Sequence, residues 1–210
     1  MTEMAPAAPG APAAPRGRPR SERARQAIIA SAADLLLARG LAAVSMDAVA
    51  ERAGVSKATI YRWWPTKESL ALDALYIQWA AAQPSDVDTG SLRGDLLALL
   101  RPWARLAAGV ASSNQGSYGR VIAALVTEAQ TDSVFAAEYR QRVVEPRRDA
   151  VRAILGRAVG RGEIPPSTKT EVAIDLLYGP LYHRLLHGHA PLDDPFVEDV
   201  VDMALTGIYA

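Results

Sequence analysis

The chain contains no cysteine. That excludes disulfides, thiolate metal sites and cysteine nucleophiles. No unbroken apolar run approaches the roughly 20 residues that a membrane helix needs. The N-terminus lacks the basic-then-apolar order of a secretory signal. A cytoplasmic protein with no membrane partner is the expectation. No stretch alternates apolar and polar residues long enough to make a strand. There is no phosphate loop, nucleophile elbow, HExxH pair or dinucleotide fingerprint, so nothing in the chain points to an enzyme. Net charge is also absent, with 23 basic residues against 23 acidic ones.

What remains is ordinary globular composition, half of it apolar, in 210 residues. That is enough to bury a core in one or two domains. The zero charge hides an asymmetry: residues 1–80 hold ten basic against seven acidic side chains, and residues 81–210 hold 13 against 16. A basic front and an acidic back point to a polyanion at the front only. Pro84 and the polar run to Gly90 mark a boundary at the same place.

Residues 1–20 hold five prolines and end in Arg16, Arg18 and Arg20. They are expected to be a disordered tail, because prolines oppose a helix and apolar bulk is scarce. The tail is either a solvating leader or a basic arm in which Arg18 and Arg20 reach DNA. From Ser21 onward helical periods dominate. Ile28, Ala32, Leu35 and Leu36 share one face, with Ser21 as the expected cap and Gly40 as the stop.

Residues 45–70, SMDAVAERAGVSKATIYRWWPTKESL, carry the most information. Ser45 caps a short helix whose Met46, Val49, Ala50 and Ala53 share a face. Gly54 ends it, because glycine accepts the left-handed backbone of a helix stop. Ser56 caps a second short helix over 57–64, and Pro65 stops that one. Thr66 caps a longer helix with Glu68 in its first turn, where a carboxylate suits the helix dipole. Two short helices around a tight glycine turn make a helix-turn-helix. Lys57, Thr59, Tyr61 and Arg62 supply donors suited to phosphates and base edges. Ile60 and Trp64, four residues apart, are expected to face inward.

These residues resemble the TetR family of bacterial transcriptional repressors. The resemblance rests on Ala50, Ala53-Gly54-Val55-Ser56, Thr59, Ile60-Tyr61, Trp64-Pro65 and Lys67-Glu68, and is close over about residues 21–75. It implies an all-α protein of about nine helices. Residues 21–82 would form a three-helix helix-turn-helix domain with a connecting helix, and residues 83–210 an effector-binding and dimerisation domain. By the resemblance the helix over 57–64 lies in the major groove, with Ser45 and Thr59 contacting DNA and Tyr61 and Lys67 on phosphates. Lys57 and Arg62 are candidate base readers or solvated cations. Ser45 and Ser56 either touch DNA or act only as caps. Trp63 departs from the smaller polar or histidine-like residue common there. It either stacks on the DNA backbone or packs beside Tyr61. The resemblance further implies a homodimer on a palindromic operator, its reading helices about 34 Å apart.

Beyond Gly90 only helical stripes remain. Pro102 is expected to kink one helix, Pro146 to bend or break the pattern from Val134 to Arg161, and Gly179-Pro180 to interrupt another near its middle. Thr168 to Glu171 reads as a capping box. Asp194 is expected to cap the last helix, with Pro195 at its first position. The family places its dimer interface on the last two long helices. That assigns Leu177, Leu181, Leu185, Val197, Val201, Leu205 and Ile208 to the interface, unless the stripes only cover the monomer core. An effector cavity lined by Trp103, Tyr118, Phe135, Tyr139 and Tyr178 is the family's further implication, against plain core packing. With few buried charges evident, the expected effector is an apolar or aromatic small molecule. No cofactor or metal is expected. His183, His187 and His189 have a spacing that can hold an ion, but nearby acidic ligands are not in register. An architectural DNA protein without ligand control is the alternative, and a helical enzyme is a more distant one.

Overall fold

The computed structural model describes residues 18–82, 87–109 and 118–209. Residues 1–17, with Arg16 and most of the proline-rich tail, lie outside them. The described residues hold helices and no strand, and no helix is long and apolar enough to cross a membrane.

Helix α1 (Arg18–Arg39) begins three residues before Ser21, so Ser21 is not its cap. Pro19 is admitted because the first turn of a helix makes no use of its N–H groups. Arg18 and Arg20 therefore stand in a helix and not in a tail, and their side chains lie outside the described residues. A 3-10 turn (Leu41–Ala43) follows Gly40, which takes φ +79°. Helix α2 (Met46–Ala53) ends at Gly54, left-handed at φ +66°. Helix α3 (Lys57–Tyr61) is three residues shorter than expected. The Trp63 N–H bonds back only three residues to Ile60, which tightens the turn, and Pro65 disfavours helical backbone at Trp64. Helix α4 (Lys67–Ala82) runs from this head into the rest of the molecule.

Helix α5 (Leu92–Ala108) contains Pro102, and α6 (Tyr118–Thr131) follows. Helix α7 (Ser133–Tyr139) passes through a π turn (Arg140–Val144) into α8 (Glu145–Gly160). With that path counted once, the described residues form nine helices. Pro146 does not break it. The proline sits at the start of α8, and the wide π turn just before it absorbs the lost N–H and the ring. Helix α9 (Thr170–His187) runs unbroken through Gly179 and Pro180. The capping box fails: Thr168 Oγ1 donates instead to the Pro165 carbonyl at 2.7 Å, and no side chain caps α9. Helix α10 (Asp194–Tyr209) is capped by Asp193, whose Oδ1 accepts from the Phe196 N–H at 3.1 Å. Asp194 lies one residue inside, in the first turn.

Two sets of core residues meet along α4. Ile28, Leu36, Val49, Ile60, Trp64 and Leu70 fill the head. Leu96, Leu100, Trp103, Ile122, Leu177 and Val201 are among those that fill the body. Helices α5 and α6 approach so closely at Gly119 that a β-carbon there would collide with the Ala107 carbonyl oxygen and stand 2.8 Å from Leu185 Cδ1. Three ion pairs, Arg93–Asp202, Arg101–Glu198 and Arg105–Asp194, run along α5 and α10. Surface pairs contribute about 0–1 kcal/mol each, so they set register more than stability.

Candidate nucleic-acid interface

The head is built from local rules. Ser45 Oγ accepts from the Ala48 N–H at 3.1 Å, and Ser56 Oγ from the Thr59 N–H at 3.3 Å. Each cap contributes about 1 kcal/mol. The Val55 N–H closes on the Ala50 carbonyl at 3.0 Å, a bond that Gly54 makes possible by its left-handed backbone. Ile60 is fully buried and Trp64 nearly so. Trp64 Nε1 donates to Asp73 Oδ2 at 2.7 Å, which fastens the end of α3 to α4. Thr66 Oγ1 accepts from the Ser69 N–H at 3.1 Å and caps α4.

With Ile60 and Trp64 inward, the opposite face of α3 is open. Tyr61 is 53% exposed and Trp63 40%. Lys57 and Arg62 are exposed, and Thr59 is half-buried. Thr59 Oγ1 lies 2.9 Å from Ser56 Oγ, so these two hydroxyls form one polar pair at the start of the helix. Lys57 Nζ is paired with Asp47 at 2.8 Å. That hydrogen bond raises its pKa and ties α3 to α2. Lys67 opens α4 beside Glu68, 3.7 Å away, with its ammonium toward solvent. Ser45 is exposed at the start of α2.

Trp63 does not pack beside Tyr61. Its ring centroid lies 6.4 Å from that of Trp64, with the Arg62 guanidinium 5.7 Å and the Arg25 guanidinium 5.9 Å from it. Cations over an aromatic face are held by its quadrupole. Arg25, from α1, is a component that sequence reasoning missed. It also faces Asp73 at 3.7 Å. No short-range pattern could have brought it to Trp63, 38 residues away.

The body holds a second candidate site. An apolar cavity of about 170 Å³ is lined by Val126, Tyr139, Val144, Arg147, Arg148, Tyr178 and Tyr182. Of the expected lining residues, Tyr139 and Tyr178 line it. Tyr118 lines a neighbouring cleft with Leu75 and Trp79 of α4, on the other side of Arg147. Trp103 stands behind, its ring 5.3 Å from that of Tyr182 and 6.3 Å, edge-on, from Tyr178. Phe135 packs on Tyr139 at 6.3 Å and lines neither space. Burial pushes the hydroxyls of Tyr118, Tyr139 and Tyr178 well above their ordinary pKa, so all three stay protonated donors.

Buried charges are few among the described residues: Asp73, Arg147, which is 5% exposed, and the fully buried Asp95. Asp95 is well served. Burial alone would raise its pKa, but bonds from the Thr89 N–H at 2.6 Å, the Thr89 hydroxyl at 2.8 Å and Arg161 at 3.3 Å outweigh burial and lower it.

The interface assignment is also corrected. Leu177, Leu181, Val197, Val201 and Leu205 are buried within their own chain and cannot face another. Leu185 is half-buried beside Gly119. The Ile208 side chain lies outside the described residues. Among the described residues the large apolar side chains that α9 and α10 leave open are Val172, Leu176, Leu186 and Met203. The His183 ring lies tilted against that of His187 and edge-on to that of His189, centroids 4.6 and 5.0 Å apart. Among the described residues no cluster is arranged to hold a metal ion.

A capped helix pair with an open donor face, carried by a helical body, defines a helix-turn-helix transcriptional regulator. Its relatives specify which kind. Residues 28–74 match the family model for bacterial regulatory proteins of the tetR family. Residues 86–204 match the tetracyclin repressor-like C-terminal domain. The chain belongs to the TetR family of transcriptional regulators. It is 39% identical over 195 residues to the uncharacterized HTH-type transcriptional regulator YdeS of Bacillus subtilis (strain 168), covering 93% of this chain and 94% of that one. It is 34% identical over 186 residues to the DNA-binding transcriptional repressor TetR of Mycobacteroides abscessus, covering 89% and 94%. The crystal structure of the TetR family transcription regulator SCO0332 superposes with a TM-score of 0.73 at 37% identity, covering 89% of this chain and 98% of that one. FadR from Bacillus subtilis, solved in complex with stearoyl-CoA, shares the fold, with a TM-score of 0.67 at 17% identity over 88% and 99%.

Proposed function

We propose that this regulator is a homodimeric repressor that reads a palindromic operator and is released from it by a small molecule. The observation that carries the proposal is the donor face of α3. Thr59, Tyr61 and Arg62 stand over a buried Ile60–Trp64 keel, flanked by Lys67 and by the Arg25–Trp63–Arg62 stack. In this role Tyr61 and Lys67 bind phosphates, Thr59 and Arg62 face base edges, and Lys57 exchanges Asp47 for DNA.

One reading head buries too little DNA for high affinity, so two must act together. The open faces of α9 and α10, with Val172, Leu176, Leu186 and Met203, are the surface this proposal gives to the second copy. Regulation follows from the wiring of α4. Asp73 receives Trp64 Nε1, and Arg25 and Arg142 surround it. Ser69 donates to Glu138 Oε2 at 2.6 Å, and Arg142 Nη1 lies 2.7 Å from Glu138 Oε1. The π turn and α7 thus grip the helix that carries the head. A ligand favouring another position of α4 changes the spacing of the two heads and lowers operator affinity. The FadR–stearoyl-CoA complex supports ligand binding on this fold.

Selection of bound DNA from a random pool tests the proposal. Recovery of a two-fold symmetric site with half-sites about one helical turn apart is expected, with affinity falling steeply with salt. Binding without sequence preference would make the chain an architectural DNA protein instead.

A further inference from the structure

Arg147 is a buried cation with too few partners. Among the described residues no carboxylate pairs with it. Its Nη1 donates to the Tyr182 hydroxyl at 2.6 Å, and its Nε–H has no partner. The faces of Trp79 and Trp103, 5.4 and 5.5 Å away, are its other neighbours of opposite polarity among the described residues. The neighbouring Arg148 shows the contrast. It lines the same cavity but is already paired with Glu171 and Asp175, each at 2.6 Å. The Tyr118 hydroxyl and Trp103 Nε1 are also buried without partners. Buried polar groups are normally satisfied, and unmet ones point to a missing partner.

From this geometry we propose that the cavity beside Arg147 takes a small aromatic monocarboxylate, with the carboxylate on the Arg147 guanidinium and the ring among Tyr139, Tyr178 and Tyr182. The inference rests on the effector role proposed above and names its ligand class. Guanidinium matches carboxylate in a two-pronged geometry, and such charge-assisted bonds are the strong ones. The volume, about 170 Å³, suits one ring, since an apolar cavity of about 150 Å³ accepts benzene. It does not suit a long acyl chain. Arg147 also lines the cleft against Leu75 and Trp79, so an anion drawn to it acts beside α4.

The test compares charged and neutral ligands of one shape on the full chain. Benzoate and phenylacetate should raise the melting temperature, because a ligand of the folded state stabilises it. Benzamide and phenylacetamide should need roughly tenfold higher concentration or more. Arg147→Gln should erase that preference, and Arg147→Lys should keep part of it. The wild-type comparison decides even if the Gln variant fails to fold. Equal effects of acid and amide overturn the inference, as does no effect of either. Inorganic phosphate acting as well as benzoate overturns it too, by leaving no role for the ring. The readout is thermal and needs no operator, so failure of DNA binding is detected separately.

Discussion

The head and the body treat their unused hydrogen-bond donors in opposite ways. In the head the caps are filled, and the spare donors of Tyr61 and Arg62 face water. In the body, spare donors at Arg147, Tyr118 and Trp103 are buried. An exposed donor costs nothing while it waits, because water satisfies it. A buried one costs about 1–3 kcal/mol until something arrives. The contrast sets an open donor face, which suits the polyanion proposed above, against buried unmet donors, which suit the small guest proposed above.

The contrast can be broken most severely in α10. Val201 is fully buried and its neighbour but one, Met203, is 77% exposed. Val201→Asp should prevent folding, because a lone buried carboxylate costs several kcal/mol. Met203→Asp should leave the helical fold intact by circular dichroism and split the proposed dimer, as sedimentation would register. An intact Met203→Asp dimer would move the interface off this face. The adjacent tryptophans offer the next largest difference. Trp64→Ala should cost about 3–5 kcal/mol in chemical denaturation, whereas Trp63→Ala should cost little stability and weaken operator binding. Equal losses would show that both belong to the core.

Smaller effects sharpen the surface side. Lys67→Ala should weaken binding to every sequence alike and reduce the salt slope by about 1 for each phosphate left without its cation. An unchanged slope rejects a phosphate role. The smallest expected effect concerns acid. Arg152 and then Arg148, by hydrogen bonds, hold Glu171 at about 2, against an ordinary 4.5. A lowered carboxylate stabilises the fold above its unfolded value and loses that contribution as pH falls toward the folded one. Melting temperature should therefore drop between about pH 4.5 and 2, and Glu171→Gln should flatten part of that drop. The same slope in the variant would assign the acid sensitivity elsewhere.

Much of the head was legible in the sequence because its rules are short-range. Ser45, Gly54, Ser56 and Pro65 act within four residues of themselves, so caps and stops could be located directly. The end of α3 was overrun, and the start of α1 was placed three residues late, at Ser21. The body was legible as helices but not as faces. On α9, Leu176 and Leu177 are adjacent apolar residues, one exposed and one buried, and a stripe at spacing four runs through either. The partners that decide are α5, α6, α8 and α10, which no local pattern names. Arg147 was missed for the same reason. Tyr182 is 35 residues away and Trp79 lies on another helix. Local pattern also misled at Thr168, whose hydroxyl donates back to the Pro165 carbonyl while no side chain caps α9.

The glycine at 119 carries an evolutionary consequence. It is backbone, the Ala107 carbonyl oxygen, that excludes a β-carbon there, and no repacking of neighbouring side chains relieves that. Drift at this position is therefore all or nothing. Any relative that keeps α5 and α6 this close must keep glycine here.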